Sequence, residues 1–246
     1  MKRKEVILMI LGFIVLITLV SFSVIHNAAR PVNNLEINFL AENPNYFLNE
    51  DKIKEIINSE SEDITTLPLS KVDVKKIEDL IAKNPYIDSI QVNKDVKGTI
   101  FFDIKTNVPL ARIKTSKGEF YLSTKGHKMP LSKLNSATVI LVSGDVKEDE
   151  YEELSEFITA INADQLLKNH IIGIEKVGKK SYNLIVNRGN FFIEFGTLNN
   201  FERKLKNLKL FYEQYIDFVG TEDYEKISLK FMNQVVATKR TLHNEQ

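Results

Sequence analysis

Residues 6–25 carry no charged side chain, and only Gly12, Thr18, Ser21 and Ser23 interrupt a run of Val, Ile, Leu, Met and Phe. In water such a segment would need apolar neighbours on every side. A helix of about 20 residues spans roughly 30 Å, the hydrocarbon thickness of a bilayer. The run therefore predicts a transmembrane helix over 6–25 behind a cytoplasmic tail, 1–5. Lys2, Arg3 and Lys4 precede it with only Glu5 opposing them, and the stretch after it carries Arg30 and Glu36. The positive-inside bias then keeps the N-terminus in the cytoplasm and exports everything after about residue 26. A cleaved signal peptide shares the basic start, but its apolar core runs about 7 to 15 residues and ends at small residues. This run is longer and ends Val24-Ile25-His26-Asn27, which favours an uncleaved anchor.

Composition narrows what the exported part does. The chain has 246 residues with 33 Lys+Arg against 33 Asp+Glu, so no bulk positive charge is available for a nucleic acid. It has no Cys, which removes disulfides, thiolate metal sites and Cys nucleophiles. Its four His, at 26, 127, 170 and 243, are scattered without an i,i+4 pair. No metal, cofactor or small-molecule substrate is expected from such a set.

After a linker over 26–33, two patterns follow. Leu35, Ile37 and Phe39 alternate as in a strand. Asn49 caps a helix with Ile53, Ile56 and Ile57 on one face, and Ser70 with Asp73 opens a second with Val74, Ile77 and Ile81 buried. Asn84-Pro85 ends it, 86–93 is a strand, a turn falls at 95–98, and Ile100, Phe102 and Ile104 alternate along the next strand. The first exported domain, 34–107, thus reads β-α-α-β-β. From Pro109 strands dominate, at 112–114, 120–123, 139–142, 171–177, 182–186 and 191–195, with a helix over 148–161 and another carrying Phe201, Leu205, Leu208, Tyr212 and Tyr215. Strand segments at 227–231 and 234–238 close a second domain, 108–240, with Tyr224-Glu225 as connection and 241–246 as a flexible tail. The fold class is α+β: one N-terminal transmembrane helix, a β-α-α-β-β domain and a larger mixed β-sheet domain with helices.

No constellation assembles a reaction centre. Gly173-Ile174-Glu175-Lys176-Val177-Gly178-Lys179 has phosphate-loop spacing, but Lys180 stands where a hydroxyl would hold magnesium, and the segment joins two strands. Glu148, Asp149, Glu150, Glu152 and Glu153 sit in the first helical turns, where acids suit the helix dipole. Arg203, Lys204, Lys206 and Lys209 fall mostly off the apolar face of their helix and read as a solvated face. Neither S-x-x-K nor G-x-S-x-G occurs. An enzyme built from residues of distant segments is the remaining catalytic reading.

The order of parts, with Asn84-Pro85-Tyr86-Ile87-Asp88-Ser89-Ile90-Gln91-Val92, Gly98-Thr99-Ile100-Phe101-Phe102-Asp103-Ile104, Val108-Pro109-Leu110-Ala111-Arg112 and Phe120-Tyr121-Leu122-Ser123-Thr124-Lys125-Gly126, resembles the FtsQ/DivIB family of bacterial cell-division proteins. Their first exported domain is a POTRA domain. Gly98 and Ser123 depart from the proline and aspartate frequent there. The resemblance implies a non-enzymatic scaffold of the bacterial inner membrane at the division septum. It would join the FtsB/FtsL-like single-span proteins and help control peptidoglycan synthesis. It also implies that a partner adds a strand beside the last strand of the β domain, which places Leu229, Phe231, Asn233, Val235 and Ala237 at the contact. Strand alternation alone leaves open whether Phe231 and Val235 face a partner or an inner core. The competing reading is a POTRA-bearing scaffold for secretion or outer-membrane biogenesis, and after it an anchored wall enzyme.

Overall fold

The computed structural model describes residues 3–28, 30–40, 47–60, 63–132, 135–216, 224–231 and 234–240. Helix α1 (Arg3–Ala28) covers the apolar run. All side chains described on it between 8 and 23 are exposed, and the expected span of 6–25 extends past them at both ends. Among the described residues no helix is long and apolar enough to cross a membrane. The chain divides into two compact units between Thr106 and Asn107.

In the first unit, β1 (Asn34–Phe39), α2 (Glu50–Glu60), α3 (Val74–Ala82), β2 (Ile87–Lys94) and β3 (Thr99–Thr106) follow one another. The sheet order is β1-β3-β2, with β1 parallel and β2 antiparallel to the central β3. A parallel neighbour needs a crossover, and the two helices between β1 and β2 lie on the route that supplies it. Ile53, Ile57, Ile77 and Ile81 pack with Ile100, Phe102 and Ile104 in one core. Asn49 caps α2 as expected, its Oδ1 accepting from Lys52 N at 2.9 Å. The cap of α3 differs: Ser70 lies in a short 3-10 turn, and Asp73 accepts from Lys76 N at 3.1 Å. At Gly98 (φ 93°) a Cβ would stand 2.6 Å from the Pro31 carbonyl oxygen, so the β2–β3 turn requires glycine there.

The second unit is built on a nine-stranded mixed sheet. Its strands are β4 (Pro109–Thr115), β5 (Gly118–Ser123), β6 (Lys128–Met129), β7 (Ile140–Ser143), β8 (Ile171–Lys176), β9 (Tyr182–Val186), β10 (Phe192–Gly196), β11 (Tyr224–Ser228) and β12 (Val236–Lys239). They run in the order β12-β11-β10-β9-β8-β7-β4-β5-β6. Alternation puts Ile113, Val142, Ile174, Leu184, Ile193 and Ile227 in a common core with α4 (Tyr151–Ala163), α5 (Gln165–His170) and α6 (Phe201–Phe211). The phosphate-loop-like run is the β8–β9 hairpin, closed by Val177 N donating to Ser181 O at 2.8 Å. Tyr224-Glu225 belongs to β11 and is not a connection. A bulge at Glu225 breaks the alternation that would have marked it.

Candidate partner-binding edge

The edge is assembled by the chain's last crossover. β10 ends at Gly196, α6 crosses the core-facing side of the sheet, and β11 returns parallel to β10, with Ile193 beside Ile227 and Glu194 beside Ser228. Phe201, Leu205 and Leu208 bury one stripe of α6. Lys204 is not the solvated charge its spacing suggested. Its Nζ donates to the Thr197 carbonyl at 2.7 Å and the Phe195 carbonyl at 3.1 Å and lies 4.8 Å from the Phe195 ring centre. Burial lowers its pKa. Lys209 is likewise engaged, with Asp164 at 2.7 Å.

Beyond β11 the chain is pinned before it turns. Leu229 N donates to the Glu194 carbonyl at 2.9 Å, prolonging the ladder to β10. Lys230 Nζ donates to Glu194 Oε1 at 2.6 Å, and Lys226 lies 3.9 Å from the same carboxylate. The Lys230 ammonium holds the Glu194 carboxyl below its usual range. β12 then returns antiparallel, Ala237 opposite Ile227 and Val236 opposite Ser228. It ends the sheet, and among the described residues no strand pairs with its outer side.

The expected contact residues separate on this frame. Leu229 is 1% exposed and belongs to the core. Phe231 is 58% exposed and, with Asn200, Lys204 and Gln234, lines a small cavity of about 40 Å³. Asn233 lies outside the described residues, as does the tail 241–246. Val235 and Ala237 are half-buried and pack against the core. The other face of β12 carries Val236, 39% exposed and paired with Ser228, and the half-buried Thr238, paired with Lys226. The sequence reading carried one alternation through 227–238, whereas the chain turns between β11 and β12, and the parity of the second strand is set by pairing with β11. The pairing of Ile227 with Ala237 needs the partner strand to be known, so no local pattern marks Val236.

Two chemistry-bearing clusters lie elsewhere in the unit, the first buried and the second half-buried. Glu150 turns inward from the acidic run, is 2% exposed, pairs with Lys176 and accepts from Tyr182 OH at 3.1 Å and Lys147 N at 2.9 Å. Against the opposing effect of burial, Lys176 lowers the Glu150 pKa, while burial and the Glu150 charge raise that of Tyr182. His170 places Nε2 2.7 Å from Tyr212 OH and Nδ1 3.1 Å from Asn187 Oδ1, and burial lowers its pKa. Among the described residues no group of His, Asp and Glu is arranged to hold a metal ion.

The architecture defines a protein with a small β-α-α-β-β unit ahead of a larger mixed-sheet unit. Residues 31–105 match the model of a POTRA-like domain, and residues 108–238 match that described as FtsQ/DivIB, C-terminal related. No curated protein matches the chain. The second match spans more than half of the 246 residues, and the chain belongs to the FtsQ/DivIB family. Domains of that family are non-catalytic scaffolds, and membership carries a role in cell division.

Proposed function

We propose that the protein is a membrane-anchored division scaffold whose β12 edge accepts a strand from an FtsB/FtsL-like partner and so couples septal assembly to peptidoglycan synthesis. The observation that carries this reading is the position of β12 at the end of the sheet, beside the exposed Phe231. An edge strand presents unpaired backbone groups, and strand addition uses them for affinity while side-chain pockets give specificity. Each backbone hydrogen bond contributes about 0.5–1.5 kcal/mol net, so a strand as short as β12 binds modestly by itself. Anchoring through the apolar run 6–25, with Lys2, Arg3 and Lys4 on the cytoplasmic side, offsets this, because tethered partners meet at roughly millimolar effective concentration.

The test is capture of the FtsB-like partner by the full chain and by its Phe231→Glu variant. Phe231 is exposed, so the variant is expected to fold as the parent does while losing most of the captured partner. Undiminished capture would count against the site. Depletion of the protein is expected to give filaments with immature septa, and normal division on depletion would sink the scaffold reading.

A further inference from the structure

Where the chain enters the first unit it is pinned almost at once. Helix α1 ends at Ala28, and two residues later Arg30 is already held. Its Nη1 donates to the Val96 carbonyl at 2.6 Å, and its own carbonyl accepts from Leu69 N at 2.8 Å. Pro31 pairs with Pro68, and Asn33 donates through N to Gly98 O at 2.8 Å and through Nδ2 to Lys97 O at 2.9 Å. Lys94 Nζ donates to the Leu69 and Val72 carbonyls at 3.0 and 3.1 Å. These bonds tie three segments into one end of the unit: the entry 30–33, the 3-10 turn Leu69–Lys71 and the β2–β3 turn 95–98.

The charge of this end is one-sided. Residues 30–33, 67–71 and 94–98 contain Arg30, Lys71, Lys94 and Lys97 against one acid, Asp95, whose Oδ1 accepts from Lys97 N at 2.9 Å and Thr99 N at 2.8 Å. Asp73, two residues past Lys71, is committed to the cap of α3. Arg30 and Lys94 serve the backbone carbonyls, whereas Lys71 and Lys97 are exposed. Between Lys94 and Lys97 stands Val96, 69% exposed, more so than any other large apolar side chain described outside α1. Turn geometry does not ask for valine there, since Gly, Asn, Asp and Ser are the residues that favour such a position.

Chain length fixes where this end lies. Under the anchor reading of residues 6–25, five residues lead from the hydrocarbon to Arg30. At 1.5 Å per residue through the end of α1 and about 3.5 Å for each of the last two, they reach at most about 12 Å. One headgroup layer is about 5–7 Å thick. Arg30 and the turns it holds therefore stand within about 7 Å of the headgroups' outer limit, less than the Debye length of about 8 Å at physiological salt. Only the number of residues enters, not the direction of α1.

We infer that this end of the first unit docks on the surface of an anionic phospholipid bilayer, with Lys71 and Lys97 beside headgroup phosphates and Val96 at the boundary between headgroups and acyl chains. Basic groups near an anionic leaflet and shallow apolar side chains are the two elements of such binding. Two cations and one valine bind a bilayer weakly, which suffices for a unit that its own anchor keeps within reach. β3 starts at this end and runs about 25 Å away from it, so docking sets the first unit on end with its exit at Thr106 clear of the lipid. The inference rests on the anchor reading and is independent of the β12 edge.

The chain has no cysteine, so Val96→Cys and Lys83→Cys each supply a single thiol, the first on the docked turn and the second exposed at the far end of α3. Each full-length variant, labelled with a small fluorophore, is reconstituted at low protein-to-lipid ratio into vesicles carrying a headgroup nitroxide quencher. The vesicles are phosphatidylcholine alone or its mixture with phosphatidylglycerol. In the mixture the label at 96 is expected to be quenched several-fold more than the label at 83. That excess should be lost in phosphatidylcholine alone and at about 1 M salt, where the Debye length falls to about 3 Å. Lys71→Glu combined with Lys97→Glu, both at exposed positions, should remove it in the mixture while leaving thermal unfolding unchanged. Flotation with the vesicles at high salt tests the anchor separately. A chain that does not float overturns the anchor and the docking with it, whereas a chain that floats with equal quenching at both labels overturns the docking alone. The docking is also overturned if the excess is the same in neutral lipid, if it survives both lysine changes, or if it appears only when copies crowd the vesicle, which would assign the turn to a second copy.

Discussion

Facing away from its helices, the three-stranded sheet presents Glu36 and Asn38 of β1, Asp103 and Lys105 of β3 and Gln91 and Asn93 of β2, with Phe101 alone among them. The nine-stranded sheet presents Phe192, Ile185, Ile172 and Leu141 on the same side. Inside, the contrast reverses. The buried polar residues found among those described, Asn107, Ser123, Glu150, Ser155 and Ser228, all belong to the second unit, while the first is filled by Ile, Leu, Val and Phe. A small sheet with polar outside and apolar inside has spent its sequence on folding. The larger sheet carries apolar groups where folding does not need them and charges where folding must compensate for them, and it is there that binding of a protein partner is expected.

The sharpest way to break this contrast is to remove one side chain from each core. Lys176→Ala strands the Glu150 carboxylate in the interior, and breaking a buried pair on one side costs about 3–5 kcal/mol. Phe102→Ala leaves a cavity in the first unit at a similar cost of about 3–5 kcal/mol. The two are told apart by repair. Glu150→Leu combined with Lys176→Met is expected to recover most of the loss, because apolar replacement of a buried pair is often neutral or stabilising. No second change at the surface repairs Phe102→Ala. Calorimetry of the full chain checks this: Lys176→Ala should lower the melting of the second unit alone, and equal shifts in both units would end the contrast.

Acid gives a smaller effect with a definite sign. Glu150 and His170 both have folded-state pKa values below their unfolded ones, through Lys176 for the first and burial for the second. The unfolded chain then binds more protons, so the stability they contribute is present above the unfolded pKa and lost as pH falls. For His170 the loss begins near the ordinary His value of about 6.5, and for Glu150 near about 4.3. The first unit has no buried titratable group among the described residues, and the second is expected to melt earlier on acidification. His170→Gln should flatten the limb between about pH 7 and 5 in a melting series, and an unchanged limb would show that His170 does not set it.

How far the sequence carried the description depended on the range of the signal. β9 and β10 were legible because alternate residues, Leu184 and Ile193 among them, are fully buried, and the turns at Gly118, Gly126 and Gly178 because each glycine has positive φ. α5 was missed because one short helix capped by Asp164 leaves no periodicity to read. Glu150 hid within an acidic run whose neighbours are solvated, since its partner Lys176 comes from a strand later in the chain. Phe231 was expected in a strand and lies instead at an exposed bend after β11, and the face that Val236 presents is fixed by its pairing with Ser228 across the hairpin. The apolar row of Phe192, Ile185, Ile172 and Leu141 across β10, β9, β8 and β7 exists only once the strand order is known, and no segment contributes more than a residue or two to it.

Helix entry separates the two units by the smallest margin. Asp73 begins α3 in extended conformation with its carboxylate on Lys76 N, so Asp73→Ala removes an acceptor and is expected to cost about 1 kcal/mol. Ser70→Ala, which the capping-box spacing would make equally costly, is expected to stay within about 0.5 kcal/mol, because Ser70 lies ahead of the cap in a separate turn. Asn200 begins α6 in the left-handed region (φ 54°) without a side-chain cap. Its role is therefore backbone geometry, which glycine supplies at least as well, and Asn200→Gly is expected to leave the second unit within about 0.5 kcal/mol of the parent. Chemical denaturation of the full chain followed by limited proteolysis separates the three. A large loss from Asn200→Gly would mean that its amide holds the β12 loop through the cavity shared with Phe231, and helix entry would then be part of the binding edge.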